Sequence, residues 1–185
     1  LGDMLCVRSG AWSEEDWRKD LERKLGRHLN RNGMTHESLA ESSHDAWIHL
    51  YRSGPYTRES QISYYLEGEL AVMCLDVEMR RRNDNTFGAC DLMAELVRRF
   101  SIESEETEEH GVDYNDIRAT LKTCPGGASM GPFLDRLVQQ RSLPNVQRAL
   151  SFFRLKLAPH ANDKEGKGWL GVNLRENAGR VLISS

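Results

Sequence analysis

Four cysteines in 185 residues, Cys6, Cys74, Cys90 and Cys124, form no Cys-x-x-Cys pair. That removes the zinc-ribbon and thioredoxin readings. At this length roughly two thirds of the unfolded surface can be buried without covalent staples, so disulfides are not required. Neither sign of charge dominates: 25 Lys and Arg stand against 28 Asp and Glu, a formal −3. Nucleic-acid binding by bulk charge is therefore not expected. Long apolar runs are missing too, because Leu70 to Leu75 is flanked by Glu67, Glu69 and Asp76, far short of the roughly 18 residues a membrane span needs. A membrane partner is not expected. The chain opens on Leu1, with no basic segment leading into an apolar one, so no targeting signal is readable. The compartment is left open, with the cytoplasm slightly favoured.

What is present is mostly helical patterning. Ser13 with Asp16 three residues on makes a capping-box start, and Trp17, Leu21, Leu25 and Leu29 recur every four residues, predicting an amphipathic helix over about 13–31. Ser38 to Ser43 reads as polar loop, with a short helix at Asp45 to Tyr51. From Glu59 to Arg82 there is no Pro and one Gly. With apolar residues on nearly every face of Leu70 to Val77, this is the expected central helix. Asn83-Asp84-Asn85 closes it, and Phe87, Leu92, Leu96, Val97 and Phe100 mark another helix. The acidic Glu103 to Glu109 run reads as an exposed, solvated loop. Asp113 with Asp116 starts a helix to about Cys124, and Met130 to Gln140 carries one more. Beyond Pro144 the pattern changes. Trp169 to Leu174 and Arg180 to Ser184 are strand-like around Glu176-Asn177-Ala178-Gly179, a hairpin signal.

Chemistry-bearing motifs are sparse. His36-Glu37 lacks the second His of a His-Glu-x-x-His zinc helix, since position 40 is Ala40. His44 and His49, five apart, point about 140° from each other on a helix and make a poor metal pair. No zinc site is legible. Gly127-Ala128-Ser129-Met130-Gly131 fits Gly-x-Ser-x-Gly, but a capped helix and Pro125 precede it where a nucleophile elbow needs a strand. A turn between helices is the preferred reading. Tyr64-Tyr65 stand apart, because a phenol stays protonated at neutral pH and can donate a hydrogen bond to a developing oxyanion. Core packing is the competing explanation.

The segments SLAESSHDAWIHLYR, QISYYLEGELAVMCLDVEMRRR, FLDRLVQQRSLP and GWLGVNLRENAGRVLISS occur in an order that resembles the glycyl aminopeptidase family of zinc metallopeptidases. Members of that family have a catalytic domain similar to thermolysin-like aminopeptidases, with a PDZ domain behind it. The resemblance implies a mainly α fold: the helical C-terminal lobe of the peptidase domain over 1–160, a linker at 161–168, and the first hairpin of a PDZ-like domain over 169–185. It also implies that the zinc ligands and the general base lie upstream of Leu1. Zinc is then a cofactor of a longer parent protein, none is bound by this segment, and the segment alone is expected to be inactive.

One catalytic group is carried over by the resemblance. A Tyr three residues before a helix Gly stabilises the tetrahedral intermediate in the related aminopeptidases, which assigns that role to Tyr65, with Gly68 following and Tyr64 as the fallback. Successive helix positions differ by about 100°, so only one of the two is expected to face a substrate while the other packs. Glu67 stands where the family usually has Lys, a charge reversal expected to alter contacts of the helix terminus near the substrate. A Gly expected after the helix containing Val138 is replaced near Gln140. The function implied is hydrolysis of glycyl or alanyl peptides, with a peptide or protein as partner and neither nucleic acid nor membrane. The alternative, from a different class, is a non-enzymatic helical module with a PDZ-type appendage that binds peptide ends. Oligomeric state leaves no trace in the sequence.

Overall fold

The computed structural model describes residues 2–30, 33–49, 51–52, 54, 60–101, 111–142, 144–158, 173–177 and 180–184. It divides the chain into two compact units, Leu1–Leu155 and Lys156–Ser185. The described residues of the first unit are helical and contain no strand.

Helix α1 spans Gly2–Arg8 and buries no side chain. Helix α2, Glu14–Leu29, begins at the expected box: Asp16 N–H donates to Ser13 Oγ, and Ser13 N–H donates to the Asp16 carboxylate at 3.1 Å. Its apolar stripe places Leu21 and Leu25 in the core, together with one polar residue, His28. The region read as polar loop is instead helix α3, Leu39–His44. Ser38 and Glu41 form a second reciprocal box there, satisfying amides that a polar stretch would otherwise leave to solvent. Helix α4, Ala46–His49, follows directly.

The central helix is α5, Tyr64–Arg82. It starts five residues later than the pattern suggested, because Gln61 to Ser63 are not helical and Ser63, with an extended backbone, serves as N-cap without a side-chain bond. From Leu66 to Met79 most of its residues are buried, and α2, α3 and three later helices pack on it. It ends where Asp84 and Asn85 take φ of 54° and 64°, the left-handed region in which short polar side chains are tolerated. Those later helices are α6 (Ala89–Phe100), α8 (Gly131–Val138) and α9 (Val146–Phe152). Helix α7, Tyr114–Thr123, packs on α6 and α8 and carries the predicted Asp113/Asp116 box. Helix α9 was not foreseen, and neither was α1. The end of α8 accounts for the missing Gly: Gln139 closes it at φ −98°, where any residue fits.

The Gly127 to Gly131 motif is a turn leading from α7 into α8, as preferred above. Ser129 Oγ accepts a hydrogen bond from Arg82 at 2.8 Å. In the second unit, β1 (Asn173–Asn177) pairs antiparallel with β2 (Arg180–Ser184), Asn173 opposite Ser184 and Asn177 opposite Arg180. The expected linker at 161–168, the acidic Glu103 to Glu109 run and the first residues of the expected hairpin lie outside the described residues.

Candidate functional site

The approach to α5 is held by side chains from earlier elements. Ile62, fully buried, has its N–H bound by Glu37 Oε2 at 3.1 Å and its carbonyl bound by Ser42 Oγ at 3.0 Å. Glu37, singled out above as a fragment of a metal motif, therefore anchors backbone. This clamp fixes where the first turn of α5 begins, and with it the position of the two tyrosines.

Tyr65 is 63% exposed on that first turn. Its ring stacks on Tyr64 with centroids 4.2 Å apart and an interplanar angle of 29°. Tyr65 is the more exposed of the two and Tyr64 is half-buried, and their rings nonetheless converge. The 100° step applies to the bonds leaving the helix, and two side-chain rotations let adjacent rings converge beyond them. Tyr51, in the turn after α4, brings its hydroxyl 3.4 Å from that of Tyr65, while its ring lies 4.9 Å from Trp47. Hydrogen bonding to Tyr51, and then to Tyr64, lowers the Tyr65 phenol from its ordinary value. The Tyr64 phenol is raised by its hydrogen bonds to Tyr65 and Tyr51. The result is an aromatic patch carrying three hydroxyls, exposed at Tyr51 and Tyr65 and half-buried at Tyr64, with the exposed Trp47 against Tyr51. Tyr51 was missed as part of this site. It sits inside the DAWIHLYR segment, whose composition alone does not say that its turn returns to α5.

Glu67 does not face that surface. Two residues from Tyr65 is about 200° around a helix, the opposite side, and Glu67 is buried there against His28. The charge reversal thus changes the interior of the lobe, contrary to the expectation that it alters contacts near a substrate.

Two further clusters bear on metal binding. Lys24 Nζ lies 2.6 Å from Asp3, 2.8 Å from Asp20 and 2.6 Å from Glu69, joining α1, α2 and α5. Among the described residues, no group of three or more His, Cys, Asp or Glu side chains is placed to hold a metal ion. His28 and Glu67 bind each other, and Lys24 already occupies the centre of the acidic trio. These residues do not fit a zinc ion. A groove of about 710 Å³ lined by Trp17, Leu21, Leu70, Met73, Phe152 and Phe153 includes none of the three tyrosines. No helix among the described residues is long and apolar enough to cross a membrane.

Comparison with known proteins adds to this geometry. The family model for M61 glycyl aminopeptidase matches residues 1–71, the part that contains Trp47, Tyr51, Tyr64 and Tyr65. No curated protein matches the chain. The crystal structure of an aminopeptidase N family protein from Idiomarina loihiensis is similar to it with a TM-score of 0.79 at 23% identity. That match covers 98% of this chain and 32% of the other, so the chain spans about a third of that protein's length. At this identity the likeness speaks for the fold.

Proposed function

We propose that this chain is the helical part of a longer zinc-dependent aminopeptidase, preferring glycyl or alanyl peptides, in which Tyr65 donates a hydrogen bond to the oxyanion formed at the scissile carbonyl. The observation that carries the reading is the exposed Tyr65 phenol on the first turn of the central helix, within the 71 residues matched by the peptidase family model. Zinc and the general base belong, in this reading, to parts of the protein outside these 185 residues. Domain assignments of 1–160 to the peptidase lobe, 161–168 to a linker and 169–185 to the start of a PDZ-like domain complete the proposal.

What this chain supplies is a positioned proton. Tyr65 carries a phenol that is exposed to solvent and stands on a helix turn whose entry is clamped by Glu37 and Ser42. A fixed donor of that kind stabilises charge as it develops without reorganising at the moment of reaction. The test is hydrolysis of a glycyl or alanyl reporter by the zinc-loaded, full-length protein and by its Tyr65→Phe variant. Loss of about 10²- to 10³-fold in kcat with zinc retained is expected. An active parent indifferent to Tyr65→Phe but impaired by Tyr64→Phe moves the role to Tyr64. A parent that binds peptides without cleaving them supports the binding-module alternative instead.

A further inference from the structure

Tyr51 carries a hydroxyl that packing does not explain. Its ring is 54% exposed and leans on Trp47, itself 79% exposed, so a phenylalanine would keep every apolar contact seen here. The hydroxyl instead reaches Tyr65 from a different element, across fourteen residues of chain. Tyr64 stacks on the Tyr65 ring, so that side chain is braced by a ring and by the Tyr51 hydroxyl.

A phenol has one proton and two lone pairs. If Tyr65 spent its proton on Tyr51, it would have none to offer a substrate. We infer that Tyr51 is a positioning residue for Tyr65: it donates its own proton to the Tyr65 oxygen, which leaves the Tyr65 proton directed outward at the substrate. This rests on the reading of Tyr65 given above. Donation in this sense also favours charge on the Tyr65 oxygen, and the lowered Tyr65 phenol is consistent with it. Tyr51, from the turn after α4, and Tyr64, from α5 itself, are the titratable groups that act on Tyr65 among the described residues. At 3.4 Å the bond is longer than the usual 2.7–2.8 Å between hydroxyls. Catalytic hydrogen bonds commonly tighten when substrate arrives.

The experiment is steady-state hydrolysis of an alanyl reporter across pH by the full-length, zinc-loaded protein, its Tyr51→Phe and Tyr65→Phe variants, and the double variant. Tyr51→Phe should lower kcat about 3- to 10-fold, the worth of one ordinary hydrogen bond, with KM unchanged. Its alkaline limb should move to higher pH, because the larger of the two hydrogen bonds that lower the Tyr65 phenol is gone. The double variant should be no slower than Tyr65→Phe alone. If Tyr65→Phe is impaired while Tyr51→Phe keeps parental kcat and alkaline limb, the inference about Tyr51 fails and the role of Tyr65 stands. A Tyr51→Phe loss that persists undiminished on the Tyr65→Phe background likewise overturns it, since the hydroxyl then acts independently. If Tyr65→Phe itself retains full kcat, the underlying reading fails, and the inference with it.

Discussion

His28 Nδ1 lies 2.7 Å from Glu67 Oε2, with the two side chains 1% and 2% exposed. The pair ties α2 to the central helix through the interior, where each group is costly to bury without the other.

Removing one partner should therefore be far worse than removing both. His28→Ala or Glu67→Lys is expected to cost about 3–5 kcal/mol, because each leaves a buried group without its complement. The combined His28→Leu, Glu67→Met change should cost markedly less than either. Urea unfolding monitored by circular dichroism measures this, and single-variant losses under about 1 kcal/mol would contradict the pairing.

Gly88 is the N-cap of α6, and a Cβ built there overlaps the Asp76 carboxylate and the Arg80 guanidinium. Asp76 cannot retreat freely, since Oδ1 accepts the Ala89 N–H at 2.7 Å and Oδ2 the Arg80 Nε–H at 2.9 Å. Gly88→Ala should cost about 1–3 kcal/mol by overpacking. Thermal melts decide the matter, and an unchanged Tm means that the junction has slack.

Glu41 accepts hydrogen bonds from Arg141 and then from Ser38, which hold its carboxyl well below the usual range, at about 2. A depressed carboxyl adds stability that is complete above its unfolded value, near 4.5, and is lost as pH falls toward 2. Both partners are about half exposed, so the contribution is small and weakens with salt. In Arg141→Ala the Glu41 titration followed by NMR should move upward. No movement would mean that the pair is not formed in solution.

The four thiols are free. Burial pushes the Cys74 thiol up to about 12 and also raises Cys124. A thiolate-selective reagent at neutral pH should label half-buried Cys6 and Cys90 first, and reach the other two only on unfolding. Mass spectrometry of the labelled protein reads the order directly, and early modification of Cys74 would show that the core around α5 opens readily.

Local signals carried much of the fold. The Ser13/Asp16 and Asp113/Asp116 boxes were readable because a cap and its partner are three residues apart, and the apolar belt of α5 because it runs unbroken. Ser38 and Glu41 gave the same signal inside a polar stretch, where composition masked it. Short helices such as α1 and α9 have too few turns for a period to emerge. The site was legible only in part. Tyr64 and Tyr65 were visible as neighbours in sequence, whereas the arrival of Tyr51 and the pairing of Glu67 with His28, thirty-nine positions away, are products of tertiary folding.

The Lys24 hub has a consequence for the start of the chain. Asp3 of α1 is bound to Lys24, so an ion pair ties this helix to the bundle beside its half-buried Met4 and Val7. Capping that one amine, by acetylation for instance, would leave Asp3 and Glu69 without that cation and Asp20 with Arg23 alone. The tie between α1, α2 and α5 would then be weakened by a change of a single charge while the apolar core stayed intact, which makes Lys24 a latch on that end of the lobe.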